Sequence, residues 1–160
     1  MPYTIKEIID IAIGIERAGY EFYSGCAGRF TDMSVHDAFD FLAREELEHE
    51  RLFQSFHGKT EAAGLYNEEY YAYLRAIGGG RIFDSQHESI AQILSGINTP
   101  MDALKHAFSA EKDSILFYSE LKELFTKDKD TTLMLDRIIN EERKHVSTIL
   151  DVIDKLKISS

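Results

Sequence analysis

"FLAREELEHERLF", residues 41–53, has the spacing of a helix with one apolar stripe, yet it places charge where that stripe should continue. The stripe runs through Phe39, Leu42, Phe53 and Phe56, and the two positions due for further core residues hold Glu46 and His49. Residues three and four apart share a helix face, so both polar side chains point the same way as the phenylalanines. A second copy decides the reading. "INEERKHV", residues 139–146, repeats the Glu-x-x-His, and its stripe is Leu135, Ile138, Glu142, His145, Ile149, Val152 and Leu156. Steps alternating between three and four describe one buried seam with two polar interruptions.

Two further stretches carry the same pattern with a single interruption. One runs through Ile5, Ile9, Ala12, Glu16, Gly19 and Tyr23, the other through Leu104, Phe108, Glu111, Ile115 and Tyr118. "IERAGYEFY" from Ile15 matches "AEKDSILFY" from Ala110, and the spacing from Glu16 to Glu46 is 30 where that from Glu111 to Glu142 is 31. A duplicated helical hairpin with pseudo-two-fold symmetry accounts for both. Start signals divide the chain accordingly: Thr4 with Glu7, Ser34 with Asp37, Thr99-Pro100 with Asp102, and a fourth near Asp128 or Asp130. Helices are expected near 4–28, 34–57, 100–125 and 130–157. Short links make each pair an antiparallel hairpin, and the long crossing segment 58–99 joins the pairs. That segment contains "NEEYYAYLRAI", the break "GGG" at 78–80 and "ESIAQILSG", which predict one or two short helices about a joint. The expected fold is an all-α antiparallel four-helix bundle, one domain over 1–160.

Composition narrows the partners. A formal charge of −10 with no basic run argues against nucleic acid and anionic membranes. No apolar segment approaches the ~20 residues of a membrane span, and "MPYTIKEIID" lacks the basic start of a signal peptide. Cys26, the one cysteine, excludes an intrachain disulfide and a C-x-x-C motif. A cytoplasmic location is expected.

The chemistry lies in the interruptions. In an antiparallel hairpin, residues equally far from the turn lie opposite each other. The midpoint of 16 and 46 is Thr31, and that of 111 and 142 falls between Thr126 and Lys127, so both pairs meet at one level near mid-bundle. Four carboxylates in one buried layer must be protonated, paired or ligated. No lysine or arginine occupies these seams. Four negative charges match two divalent cations, and the mixed oxygen and imidazole set suits iron or manganese, with zinc a further candidate. Tyr23 and Tyr118 each follow an inward Glu by seven residues, where core packing competes with hydrogen bonding to ligands across the bundle or a role in electron transfer, which makes them catalytic candidates beside Glu46 and Glu142. Glu45, Glu48, Glu50 and Glu141 are expected to face water, His36, His57, His87 and His106 to sit at the surface or at helix ends, and Cys26 to pack in the core.

Glu16, Glu46-x-x-His49, Glu111 and Glu142-x-x-His145 resemble the di-iron carboxylate set of the ferritin-like superfamily, and the long crossover makes the chain most similar to the rubrerythrin group. The resemblance covers essentially the whole chain. It implies two iron ions (Fe2+/Fe3+), Glu46 and Glu142 as bridges, Glu16 and Glu111 as terminal ligands, and one of His49 and His145 on each ion. It also implies reduction of hydrogen peroxide or dioxygen, and a homodimer. Rubrerythrins carry a further carboxylate one turn after the helix 3 ligand, where this chain has Ser114, and a rubredoxin domain whose cysteines bind iron, to which Cys26 alone offers no counterpart in residues 1–160. Electrons are therefore expected from an external protein such as a rubredoxin-like donor. The alternative is a non-catalytic protein of iron handling or sensing.

Overall fold

The computed structural model describes residues 3–57, 65–78 and 89–159. Four long helices dominate: α1 (Ile5–Ala27), α2 (Met33–His57), α5 (Pro100–Glu123) and α6 (Lys129–Ile158). Their starts are fixed by side chains that accept the free N–H groups of the first turn. Thr4 and Glu7 form a capping box on α1, Thr99 and Asp102 form one on α5 with Pro100 in the first turn, and Asp128 caps α6. The start of α2 differs from expectation. Asp32, not Ser34, closes that end: its carboxylate accepts from the Ser34 and Val35 amides and from the Ser34 hydroxyl. A carboxylate at the positive end of a helix gains from the dipole as well as from the hydrogen bonds, which a hydroxyl two positions later cannot match.

Within the crossover, Asn67 caps a short helix α3 (Glu68–Ile77), and Ser89 with Gln92 caps α4 (Ile90–Gly96). The end of α3 is capped by Gly78, the first residue of the expected break; Gly79, Gly80 and His87 fall outside the described residues. Gly78 is required by close approach, since a Cβ there would stand 2.9 Å from both Ile11 Cγ2 and Phe117 Cδ2. An unexpected two-residue antiparallel ladder pairs β1 (Tyr3–Thr4) with β2 (Leu65–Tyr66). It ties the crossover to the start of α1, and Tyr3 stacks on Tyr71 of α3 with ring centroids 3.6 Å apart.

Apolar packing among the described residues falls into two clusters. One gathers Ile8, Ile9, Phe53, Phe117, Leu121 and Leu135; the other gathers Phe22, Phe39, Leu42, Leu104, Ala107 and Ile149. Each cluster draws on all four long helices, at opposite ends of the bundle. Between them every helix contributes a polar residue to its inner face.

Candidate metal centre

Glu16, Glu46, Glu111 and Glu142, with His49 and His145, fill the gap between the two clusters, and none of the six is more than 4% exposed. The seams position them as the spacing requires. Phe39, Leu42, Phe53 and Phe56 are buried on α2 around Glu46 and His49, and Leu135, Ile138, Ile149 and Val152 on α6 around Glu142 and His145. Phe108 and Ile115 of α5 are only half-buried.

Ligand atoms gather in two overlapping sets, each within 4.8 Å: Glu16, Glu46, His49 and Glu142 in one, Glu46, Glu111, Glu142 and His145 in the other. Glu46 and Glu142 belong to both. His49 Nδ1 lies 2.8 Å from Glu142 Oε1 and 3.6 Å from Glu16 Oε2. His145 Nδ1 lies 3.3 Å from Glu142 Oε2, 3.4 Å from Glu111 Oε2 and 3.5 Å from Glu46 Oε1. The two imidazoles face each other nearly parallel, with centroids 5.7 Å apart.

Electrostatics follows from burial and proximity. Burial, then the neighbouring carboxylates, push Glu46 and Glu111 well above the usual carboxylate range. Burial alone would lower both histidines, but Glu142 and Glu16 raise His49 to about 11, and Glu111 and Glu142 raise His145 to about 10. Glu142 is held well below the usual range, because Glu111 and both imidazoles beside it outweigh its burial. Protons thus do the neutralising that cations would otherwise do. The metal test is the set of oxygens and nitrogens left over. Glu16 Oε2, Glu46 Oε1, Glu111 Oε2, both Glu142 oxygens and the Nδ1 atoms of His49 and His145 are buried without a hydrogen-bond partner, and all belong to the two sets. Buried polar atoms are seldom left so, and these point inward at a common centre. The donor chemistry fits two iron or manganese ions.

The tyrosines join the layer. Tyr23 of α1 donates to Glu111 Oε1 of α5 at 2.5 Å, and Tyr118 of α5 donates to Glu16 Oε1 of α1. Burial and the adjacent carboxylates push both phenols well above their usual range, so each keeps its proton and stays a donor.

Two acidic residues correct the sequence reading. Glu50 is 7% exposed, bonded to Arg17 of α1 and Gln54. Glu141 accepts from His49 Nε2 at 3.0 Å and from Arg137 Nε at 2.9 Å, with its side chain only 20% exposed. Burial would raise Glu141, but Arg137 and His49 leave it below the usual range. It therefore holds the Nε2–H, so that when the ring is neutral the proton stays on Nε2 and Nδ1 faces the layer. The one sequence signal was its position beside Glu142. Among the described residues the equivalent support is missing for His145, whose Nε2 has no hydrogen-bond partner there. Other histidines lie elsewhere: His36 beside Asp37, His57 against Asp10 at the end of α2, and His106 half-buried against Phe22. Cys26 is fully buried in the core, its thiol pushed up to about 12 by burial.

No family model matches the chain, and no curated protein does. Among solved structures, a Thermotoga maritima crystal structure, described provisionally as a ferritin-like diiron-carboxylate protein, superposes with a TM-score of 0.73. The match covers 94% of this chain and 95% of that one at 23% identity. A likeness at that identity shows the fold, a ferritin-like helical bundle, and leaves chemistry to be argued from the site. No described helix is long and apolar enough to cross a membrane.

Proposed function

We propose that this chain holds two iron ions in its buried layer and acts as an oxidoreductase of the rubrerythrin kind, reducing hydrogen peroxide or dioxygen with electrons from an external donor. The observation that carries this reading is the pair of ligand sets sharing Glu46 and Glu142. Two residues common to both sets suit bridging positions, and Glu16 with His49 and Glu111 with His145 complete one position each. A bound ferrous pair would supply two electrons, and positive charge, for breaking an O–O bond.

What the chain contributes is arrangement. The apolar clusters cover the layer toward both ends of the bundle, which strengthens the charge interactions between its buried groups. Tyr23 and Tyr118 hold protons at the outer oxygens of Glu111 and Glu16, fixing how those carboxylates turn. Glu141 and Arg137 keep the His49 ring aimed inward. Homodimerisation belongs to the same proposal.

Anaerobic loading with Fe(II) followed by hydrogen peroxide tests it. The expected result is two irons per chain, fast stoichiometric oxidation, and turnover when a reductant is added. Oxidation followed by iron release or mineral growth would assign the protein to iron handling instead, and a purified chain that binds no transition metal would remove both readings.

A further inference from the structure

A cavity of about 320 Å³ lies between α1, α5 and the two crossover helices, and its inner end is formed by Glu46, Glu111 and Tyr23. Ile15, Ala18, Phe22, Ile90 and Ile93 supply apolar wall. Gly19 and Ser114 stand at equivalent places in the internal repeat, three residues after Glu16 and Glu111, and both line this cavity. Gly19 makes room for the Glu46 carboxylate, since a Cβ there would stand 2.9 Å from its Oε2. Ser114 is small and neutral with its hydroxyl turned back to Ala110 O, so among the described residues neither position fills the cavity with a long side chain. A water occupies about 30 Å³ of liquid, which makes the space worth about ten waters. Hydrogen peroxide, with two oxygens, would leave nearly all of it unused. The volume, and a wall that sets these apolar side chains among a few polar ones, His106, Ser109 and Asp113 besides the groups of the layer, match small-molecule sites, which run from about 300 to 1,000 Å³.

The reaction proposed above consumes two electrons per peroxide, and the chain keeps no thiol reserve to supply them. Its one cysteine, Cys26, is fully buried and held as the thiol. The donor must come from outside, and the cavity lets a second reactant reach the layer.

We propose that this cavity binds a small, uncharged, largely apolar organic reductant that serves as the electron donor, a role that rests on the peroxide-reducing reading. A dihydroxyaromatic donor breaks its two O–H bonds and gives up two electrons and two protons. Hydrogen peroxide takes both, its O–O bond breaks, and two waters form beside the oxidised dione. No donor protein is needed in this scheme.

Indole is the binding probe, because the chain contains no tryptophan and excitation at the red edge, beyond the absorption of its tyrosines, then reports the ligand. Hydroquinone is the donor probe. The iron-loaded full chain should bind one indole per chain with a saturable blue shift. Ala110→Phe on α5 and, separately, Ile90→Phe on α4 fill the cavity from two sides, and each should weaken binding about tenfold or more while two irons per chain are retained. With hydrogen peroxide, benzoquinone should form at a rate that saturates in hydroquinone and falls in the same variants. Indole binding that never saturates, or that both variants leave unchanged, overturns the site. Hydroquinone oxidation indifferent to both variants overturns the donor role. Iron that is bound but not oxidised by peroxide also ends the donor role, by removing the reaction it serves, and the indole titration separates that failure from failure of the site.

Discussion

Replacing Glu141 with glutamine asks whether the two histidines of the layer are held to different degrees. Glu141 accepts two hydrogen bonds at once, from His49 Nε2 and from Arg137 Nε. An amide of the same shape cannot do both. If its oxygen stays on Arg137, its NH2 faces His49 Nε2, which must then accept and carry its proton on Nδ1, the nitrogen that faces the layer. If the oxygen turns to His49, the NH2 is set against the guanidinium. A hydrogen bond to a charged group contributes about 1.5–3 kcal/mol. The Glu141 side chain is 20% exposed, so solvent screening places the loss at the low end, about 1.5 kcal/mol, or a little over tenfold in affinity. An anaerobic Mn(II) or Fe(II) titration fitted to two sites should show one site weakened by about that factor and the other unmoved. Glu45→Gln, the same change at the equivalent position of the repeat, is the control, because His145 Nε2 makes no hydrogen bond. Equal weakening of both sites, or an effect of Glu45→Gln as large as that of Glu141→Gln, would show that the asymmetry has no energetic content.

Gly19→Ala should cost metal affinity rather than stability: the added Cβ would stand 2.9 Å from Glu46 Oε2 and 3.2 Å from its Cγ and Cδ, displacing the carboxylate, while alanine returns about 1 kcal/mol of helix propensity. Unchanged metal affinity in this variant would count against Glu46 as a ligand. Tyr118→Phe leaves Glu16 Oε1 without its buried donor and should lower stability by about 1.5–3 kcal/mol, seen as a fall of several degrees in Tm; no fall would mean that the hydroxyl contact is not made in solution. Stability of the metal-free protein should decline as pH rises from about 7 to 10, because His49 and His145 titrate at about 11 and about 10 in the fold against an ordinary 6.5. Raised values stabilise the fold fully below 6.5 and lose that contribution as pH climbs through them, whereas the lowered value of Glu142 acts above 4.5 and is lost only in acid. Metal-loaded protein, with both imidazoles neutral, should not show the alkaline decline, and a metal-free Tm that climbs over that range would contradict the assignment.

What was legible in the sequence was whatever repeated or kept a period. Glu46 and His49 alone resemble any charged helix, but the copy at Glu142 and His145, with Glu16 and Glu111 at matching heights, places all six side chains without a structure. Contacts between distant segments were not legible. Glu50 lies off its seam and is buried by Arg17, 33 residues away, and Glu141 meets His49 across 92 residues. The ladder of Tyr3–Thr4 with Leu65–Tyr66 is too short for an alternating pattern to show. The cavity is likewise made by where the crossover helices land on α1 and α5, and "NEEYYAYLRAI" does not encode that landing in any local period.

The layer has a cost that the rest of the bundle must offset. It interrupts what would otherwise be one continuous apolar core, and four buried carboxylates without partners would not stay ionised. The structure meets this with reciprocal contacts. Tyr23 reaches from α1 to Glu111 on α5, Tyr118 returns from α5 to Glu16 on α1, and the imidazoles of α2 and α6 both lie against Glu142. These contacts link the two hairpins through the polar layer itself. The halves of the duplication are therefore held together by the groups of the candidate metal centre, so a change at one of them should be felt in how the hairpins pack. The departure from symmetry at Glu141 and His145 then matters more than its size suggests. Two sites that share two carboxylates but differ in how firmly one histidine is held need not fill together, and the firmer one, with His49, should take the first ion.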